Sequence, residues 1–202
     1  MKNIVLLGGG GLAIELLDYM LQENINPIGY YSPEEDKELS KYLKWLGNER
    51  QNYNKEYIYI IASGRIEIRK KMIDFLESHR LKVGSFISKY AYISKFATIG
   101  KGIVATHTAA ITGNPIIDDY LFINGSAIGH HAKIGKNVVV GPGVKITGHC
   151  QIGNNVSFGA NSCLIPGTKI EDNSEIAIGT FPRKRVRCNK IVISKPGDVF
   201  DK

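Results

Sequence analysis

Three histidines carry the clearest chemical potential in the chain. His130 and His131 stand side by side in "SAIGHHAKIG", and His149 follows eighteen residues after the second, in "ITGHC". Imidazole changes charge close to neutral pH, so a histidine can take a proton from an attacking group. Convergent histidines can also hold zinc, given three ligands and an open position. The plain alternative is that all three are exposed turn residues. Two further sets suit anionic ligands. Gly8, Gly9, Gly10 and Gly11 lie between an apolar run and a helical pattern, and they fit G-x-G-x-x-A through Gly8, Gly10 and Ala13. Backbone amides there can receive a phosphate, although any tight strand-to-helix turn also favours glycine. Arg183, Lys184, Arg185, Arg187 and Lys190 cluster towards the other end. Such a cluster suits a phosphate-bearing cofactor, nucleic acid or acidic lipid, and as readily forms a solvated basic tail.

The elements that must position these groups fall into two halves. Across 202 residues the formal net charge is +7, and its distribution is uneven. Residues 1–84 carry 12 Lys+Arg and 12 Asp+Glu, whereas residues 85–202 carry 14 and 7. The first half alternates strand and helix: strands at Asn3–Leu7, Asn26–Tyr31 and Tyr57–Ser63, and amphipathic helices from Leu12 to about Glu23 and over Gly64–Arg80. A β-α-β-α-β order predicts a small parallel sheet flanked by helices, about half of a dinucleotide-binding fold. A nicotinamide dinucleotide would want an acidic residue at the end of the second strand. That end reads Tyr30-Tyr31-Ser32, with Glu34, Glu35 and Asp36 only beyond Pro33.

From Ile87 the period becomes six. Ile116, Phe122, Ile128, Ile134, Val140, Ile146, Ile152, Phe158, Leu164, Ile170 and Ile176 keep one frame. An earlier run, Ile87, Ile93 and Ile99, joins it through a five-residue step to Val104. Smaller residues follow four places later, from Ser126 and Ala132 to Ser174. Neither a helix nor a simple strand has this period; short strands joined by tight turns do, and stacked coils would bury a continuous apolar column.

Several classes are disfavoured. Cys150, Cys163 and Cys188 are an odd, dispersed set without CxxC, which points to a reducing cytoplasm and away from disulfides or a cysteine-built zinc site. The start lacks a signal-peptide pattern, and no apolar run is long enough to span a bilayer. Aromatics do not interleave with the basic cluster as single-strand nucleic-acid binding requires, and the tail has no apolar face for a membrane. Cys150 takes an inward small position and reads as core.

With "IVLLGGGGLAIEL", "SAIGHHAKIG", "ITGHCQIGNNVSFGANSCLIPG" and "GTFPRKR", the chain resembles the bacterial hexapeptide-repeat sugar acetyltransferases with an N-terminal half-Rossmann domain. These are the bacillosamine-pathway N-acetyltransferase and sialic-acid O-acetyltransferase-like proteins. The resemblance implies a nucleotide-sugar domain over 1–84, a left-handed parallel β-helix over 85–187 and a tail over 188–202. It implies a homotrimer with acetyl-CoA bound between subunits and no metal. It implies His130 as the general base and the Gly148 N–H as the contact to the thioester carbonyl. His149 would line the same cleft, Arg183, Lys184 and Arg185 would meet CoA phosphates, and Gly8–Gly11 would serve the nucleotide-linked sugar.

Three departures stand out. His131 replaces the acidic residue that usually follows the base, Leu12 replaces a histidine after the glycines, and the tail "NKIVISKPGDVF" is long. An Asn directly after the preceding inward residue would be expected, yet the frame puts Ile123 there and Asn124 one later; counting from Asn124 would nominate His131 as base. The expected activity is transfer of acetyl from acetyl-CoA to the amine of a nucleotide-linked amino sugar. Alternatives are O-acetylation of a sugar, a non-catalytic β-helical binding or assembly subunit and, last, a metal-dependent lyase or hydratase.

Overall fold

The computed structural model describes residues 3–194 and consists of a small α/β unit seated on a triangular β-prism. Apolar β-branched runs give β1 (Ile4–Leu7), β2 (Gly29–Tyr31) and β3 (Ile58–Ile61), and β4 (Lys82–Val83) completes a parallel sheet ordered β2-β1-β3-β4. Helix α1 (Gly11–Gln22) connects β1 to β2, and α2 (Ile66–Ser78) connects β3 to β4. The expected β-α-β-α-β order is therefore corrected. Between β2 and β3 there is only a single 3-10 turn, Leu39–Lys41, so the chain runs β-α-β-β-α-β. Residues 44–47 run alongside β2 through Tyr30 N–H to Lys44 O (2.9 Å) and Leu46 N–H to Tyr30 O (2.8 Å), extending the sheet at that edge.

The prism is built from two-residue strands in three parallel sheets. The first face runs from Phe86–Ile87 to Ile191–Val192 in seven strands. The second runs from Tyr92–Ile93 to Cys163–Leu164 in five, and the third from Thr98–Ile99 to Arg185–Val186 in six. Ile191–Val192 thus pairs with Glu175–Ile176 and closes the first face in the basic tail. Most corners carry one left-handed residue, chiefly glycine or asparagine, as at Gly143, Gly167, Asn137, Asn155 and Asn161. These types enter that region at least cost.

The inward column differs from the sequence frame at its start. The buried members are Ala105, Ile111, Ile117 and Ile123, followed by Ile128 and then every sixth residue to Ile176. Ile116 points out and is 53% exposed, and Phe122 packs outward against the α/β unit. The five-residue step therefore falls between Ile123 and Ile128, not between Ile99 and Val104. Asn124 then does follow an inward residue directly.

The α/β unit covers the first face. Phe86, Val104, Phe122 and Val139 project from it into one core with Leu16, Leu17 and Met20 of α1. Helix α2 covers the neighbouring corner between the third and first faces. There Arg69, fully buried, donates from Nε to Asn137 Oδ1 (3.0 Å), from Nη2 to Tyr120 O (2.6 Å) and from Nη1 to Ser63 O (3.0 Å). Burial pushes its pKa down to about 10. Glu77 accepts from Lys136 Nζ (2.9 Å) and the Tyr120 hydroxyl (3.1 Å) at the same seam.

Candidate active site

The corner between the second and third faces is the one farthest from the α/β unit, and it collects the histidines. Successive coils place residues 129–132, 147–150 and 165–168 there, one above another. His131 (φ +58°) and His149 (φ +62°) occupy the left-handed corner position that asparagine or glycine fills at most other corners, Thr108 and Tyr120 being further exceptions. Histidine is one of few other residues to enter this region with any frequency, and it still costs on the order of 1 kcal/mol. The six-residue frame thus fixes both Cα positions, and the coil stacking brings their rings into parallel contact, centroids 4.6 Å apart and 5° from coplanar.

His130 lies across this stack. Its ring is edge-on to both His131 (5.2 Å, 87°) and His149 (5.1 Å, 85°). Its Nδ1 sits 3.0 Å from His131 Nδ1, a hydrogen bond in which one ring must donate and the other accept. His131, not a carboxylate, is therefore the group that orients the His130 ring. The backbone is pinned by His149 N–H to His130 O (2.9 Å) and His131 N–H to Asn114 Oδ1 (3.2 Å).

Gly148 is part of the same arrangement. A Cβ built there would lie 2.6 Å from His130 Nε2 and closer still to Cε1, so the imidazole occupies the space that any side chain would take. Its residue is buried, and among the described residues nothing accepts from its N–H. The His130 imidazole and the Gly148 amide are thus held side by side at an exposed edge. A cavity of about 360 Å³ opens beside them, lined by Asn114, Ile116, His131, Ala132, Lys133, His149 and Gln151.

The basic candidates divide. Arg183 and Lys184 turn the next coil at this same corner: Lys184 O accepts from Lys169 N–H (2.8 Å), and the Lys184 stem lies 3.7 Å from a Cβ built on Gly167, directly beyond His149. Both side chains are exposed. Arg185 lies in the last strand of the third face and is held by Glu171, at 2.7 Å through Nη2 and 3.0 Å through Nε. The Arg185 guanidinium holds the Glu171 carboxyl below its usual range, so this arginine is already paired.

His130, His131 and His149 each bring a ring nitrogen within 4.8 Å of the others, which meets the ligand count of an open zinc site. His107 lies elsewhere, stacked on Tyr19 (4.6 Å) and bonded to Ser88 Oγ (3.0 Å). Cys150 is buried in the prism, and burial raises its thiol pKa, as a core role requires.

The glycine run sits at the other end of the molecule. Gly8 (φ +124°) packs where a Cβ would strike Ala62 O at 2.8 Å, which explains the glycine. Gly8 and Gly9 line a cavity of about 410 Å³ at the C-terminal edge of the α/β sheet, with Pro33, Asn48, Glu49, Arg50, Ser63, Ile68, Lys71 and Met72. Gly10 caps α1 and Gly11 opens it, and neither lines the cavity. The cavity crosses the point where the strand order reverses, between β1 and β3, the usual ligand crevice of open parallel sheets. Glu49, Arg50 and Lys71 escaped the sequence analysis because they lie on a loop without period and on the outer side of a helix.

Fold and repeat together match the left-handed parallel β-helix of hexapeptide-repeat proteins. Residues 149–181 match the family model described as "Hexapeptide repeat of succinyl-transferase". Among curated proteins, the chain is 32% identical over 121 residues to the bifunctional protein GlmU of Anaplasma marginale (48% of this chain, 28% of that protein). It is 35% identical over 118 residues to serine acetyltransferase of Synechococcus elongatus (52% and 46%). The chain spans less than half the length of these relatives. Among solved structures, it matches a histidine-to-asparagine mutant of perosamine N-acetyltransferase from Caulobacter crescentus in complex with CoA and GDP-perosamine. That match has a TM-score of 0.85 and 18% identity, covering 100% of this chain and 98% of the other. The acetyltransferase domain of PglB from Neisseria gonorrhoeae with acetyl coenzyme A gives 0.84 at 16% identity, covering 93% and 94%.

Proposed function

We propose that the protein transfers acetyl from acetyl-CoA to the amine of a nucleotide-linked amino sugar. The observation that carries this is the convergence of His130, Gly148, His149 and Lys184 on one edge of the prism. A proton acceptor, a free backbone donor and an exposed cation are stacked there in that order. His130, as general base, takes the proton as the amine attacks the thioester carbonyl. The Gly148 N–H receives the developing oxyanion, and collapse releases CoA, whose sulfur takes up a proton. Lys184 lies three coils from His131, about 14 Å at the usual strand spacing, a reach that suits a CoA phosphate while the thioester sits at the histidines. The structural neighbours' CoA and nucleotide-sugar ligands support the same assignment.

The acceptor must come from another copy. The cavity with Gly8 and Gly9 belongs to the unit on the first face, and the histidine corner is opposite that face. Exposed Ile116, Ile165 and Phe181, at 53%, 53% and 72%, surround the corner and suit contact with neighbouring chains in a homotrimer.

The test is thiol release with acetyl-CoA and a panel of amino nucleotide sugars. Wild type is expected to release CoA and yield an acetylated amine. His130→Ala is expected to lower turnover about 10²-fold or more with assembly unchanged. Near-normal turnover in that variant removes His130 from the role.

A further inference from the structure

We propose that the cavity at the edge of the α/β sheet reads a guanine base through the Glu49 carboxylate, so that the acceptor is a GDP-linked sugar. This rests on the reading that the α/β unit holds a nucleotide.

Glu49 is 7% exposed, and its Oε2 is fully buried without a hydrogen bond from any described residue. A buried carboxylate without donors is costly, and such groups in native proteins call for a partner. Glu49 also lines the cavity, and a base seated there would bring donors to its carboxylate.

Position separates base from phosphate. Gly8 and Gly9 line the cavity at the end of β1, where the chain turns towards α1, and the Lys71 cation of α2 lines the same cavity and suits a phosphate. Glu49 follows the 44–47 segment, which lies beyond β2 and is tied to it by Ser32 N–H to Gly47 O (3.2 Å). That is two strand spacings from β1, about 10 Å. In open sheets of this kind the ribose contact comes at the end of the second strand. Glu49 lies one strand further out, where the base would fall.

The chemistry then selects among bases. An ionised carboxylate only accepts, through two oxygens. Guanine presents two adjacent donors, N1–H and the 2-amino group, on one edge. Uracil and thymine set a single N3–H between two carbonyls that a carboxylate repels, and adenine and cytosine place one amino group beside a ring acceptor.

Calorimetric titration of the full chain with GDP, IDP, UDP and dTDP tests this directly. GDP is expected to bind tightest. IDP, which lacks the 2-amino group, is expected to bind about tenfold or more weaker, the usual size of one hydrogen bond to a charged acceptor. Glu49→Gln is expected to melt no lower than wild type and to erase the difference between GDP and IDP. UDP or dTDP binding as tightly as GDP overturns the guanine assignment while leaving nucleotide binding intact. Equal affinity for GDP, IDP and UDP with weaker dTDP also overturns it, placing Glu49 on the ribose 2′-hydroxyl. Binding of CoA but of no nucleotide sinks the assignment together with the proposed acceptor class.

Discussion

The pair His130 and His131 shows what an imidazole neighbour does to a proposed base. A carboxylate in place of His131 would accept a hydrogen bond at any pH of interest and stabilise a charged imidazole. An imidazole holds the tautomer only while one ring keeps a lone pair for the other. His131 also sits at a left-handed corner where its backbone is less comfortable than asparagine's. His131→Asn is therefore expected to gain up to about 1 kcal/mol in denaturant unfolding while turnover falls, because the new side chain loses the ring-to-ring bond. A turnover loss with an equal stability loss would mean that the residue is merely structural. Gly148→Ala isolates the other half of the site. Its methyl group would displace the exposed His130 ring and little else, so the melting temperature is expected to hold while thiol release drops as far as in His130→Ala. The doublet and the glycine were visible in the sequence as candidates, but their contact was not, since it depends on stacking across eighteen residues.

At the level of elements, the period of six was legible and its phase was not. Ile116-Ile117 and Phe122-Ile123 are doublets of large apolar residues, so spacing alone cannot choose which member faces in. The choice is made by what covers the outside: α1 buries Phe122, and Ile116 stays at the surface. Glu49 was hidden for a related reason, because its burial comes from an edge segment and a loop rather than from any repeat. The seam between α2 and the prism has a pH signature. The hydrogen bond from Lys136 is the main cause holding the Glu77 pKa below 4.5, against the opposing effect of burial, with help from the Tyr120 hydroxyl. A depressed carboxylate contributes stability above its unfolded value, and that contribution is lost as pH falls through the folded one. Denaturation midpoints measured from pH 7 down to pH 3 are expected to fall more steeply below about pH 4.5 in wild type than in Glu77→Gln. Parallel curves would exclude Glu77 as a contributor.

At the scale of the whole molecule, the cavity of the α/β unit and the histidine corner lie on opposite sides of one chain. The proposed reaction needs both, so it calls for a centre shared between copies, in which damage to one half in one chain would be made good by another. Mixing His130→Ala with Lys71→Glu, each inactive alone, is expected to restore about a quarter of the sites in random assemblies; no recovery after co-refolding would mean that each chain works within itself. The buried Arg69 has a consequence of another kind. Arginine can only donate, so Asn137 must turn its amide oxygen towards it. Asn137 then donates to Asn155 Oδ1 (3.0 Å), and Asn155 to Asn173 Oδ1 (3.1 Å), one coil at a time. A row of identical amides has two equivalent directions, and one guanidinium from the α/β unit selects between them. The prism thus carries, along its length, a polarity set by the domain docked on it.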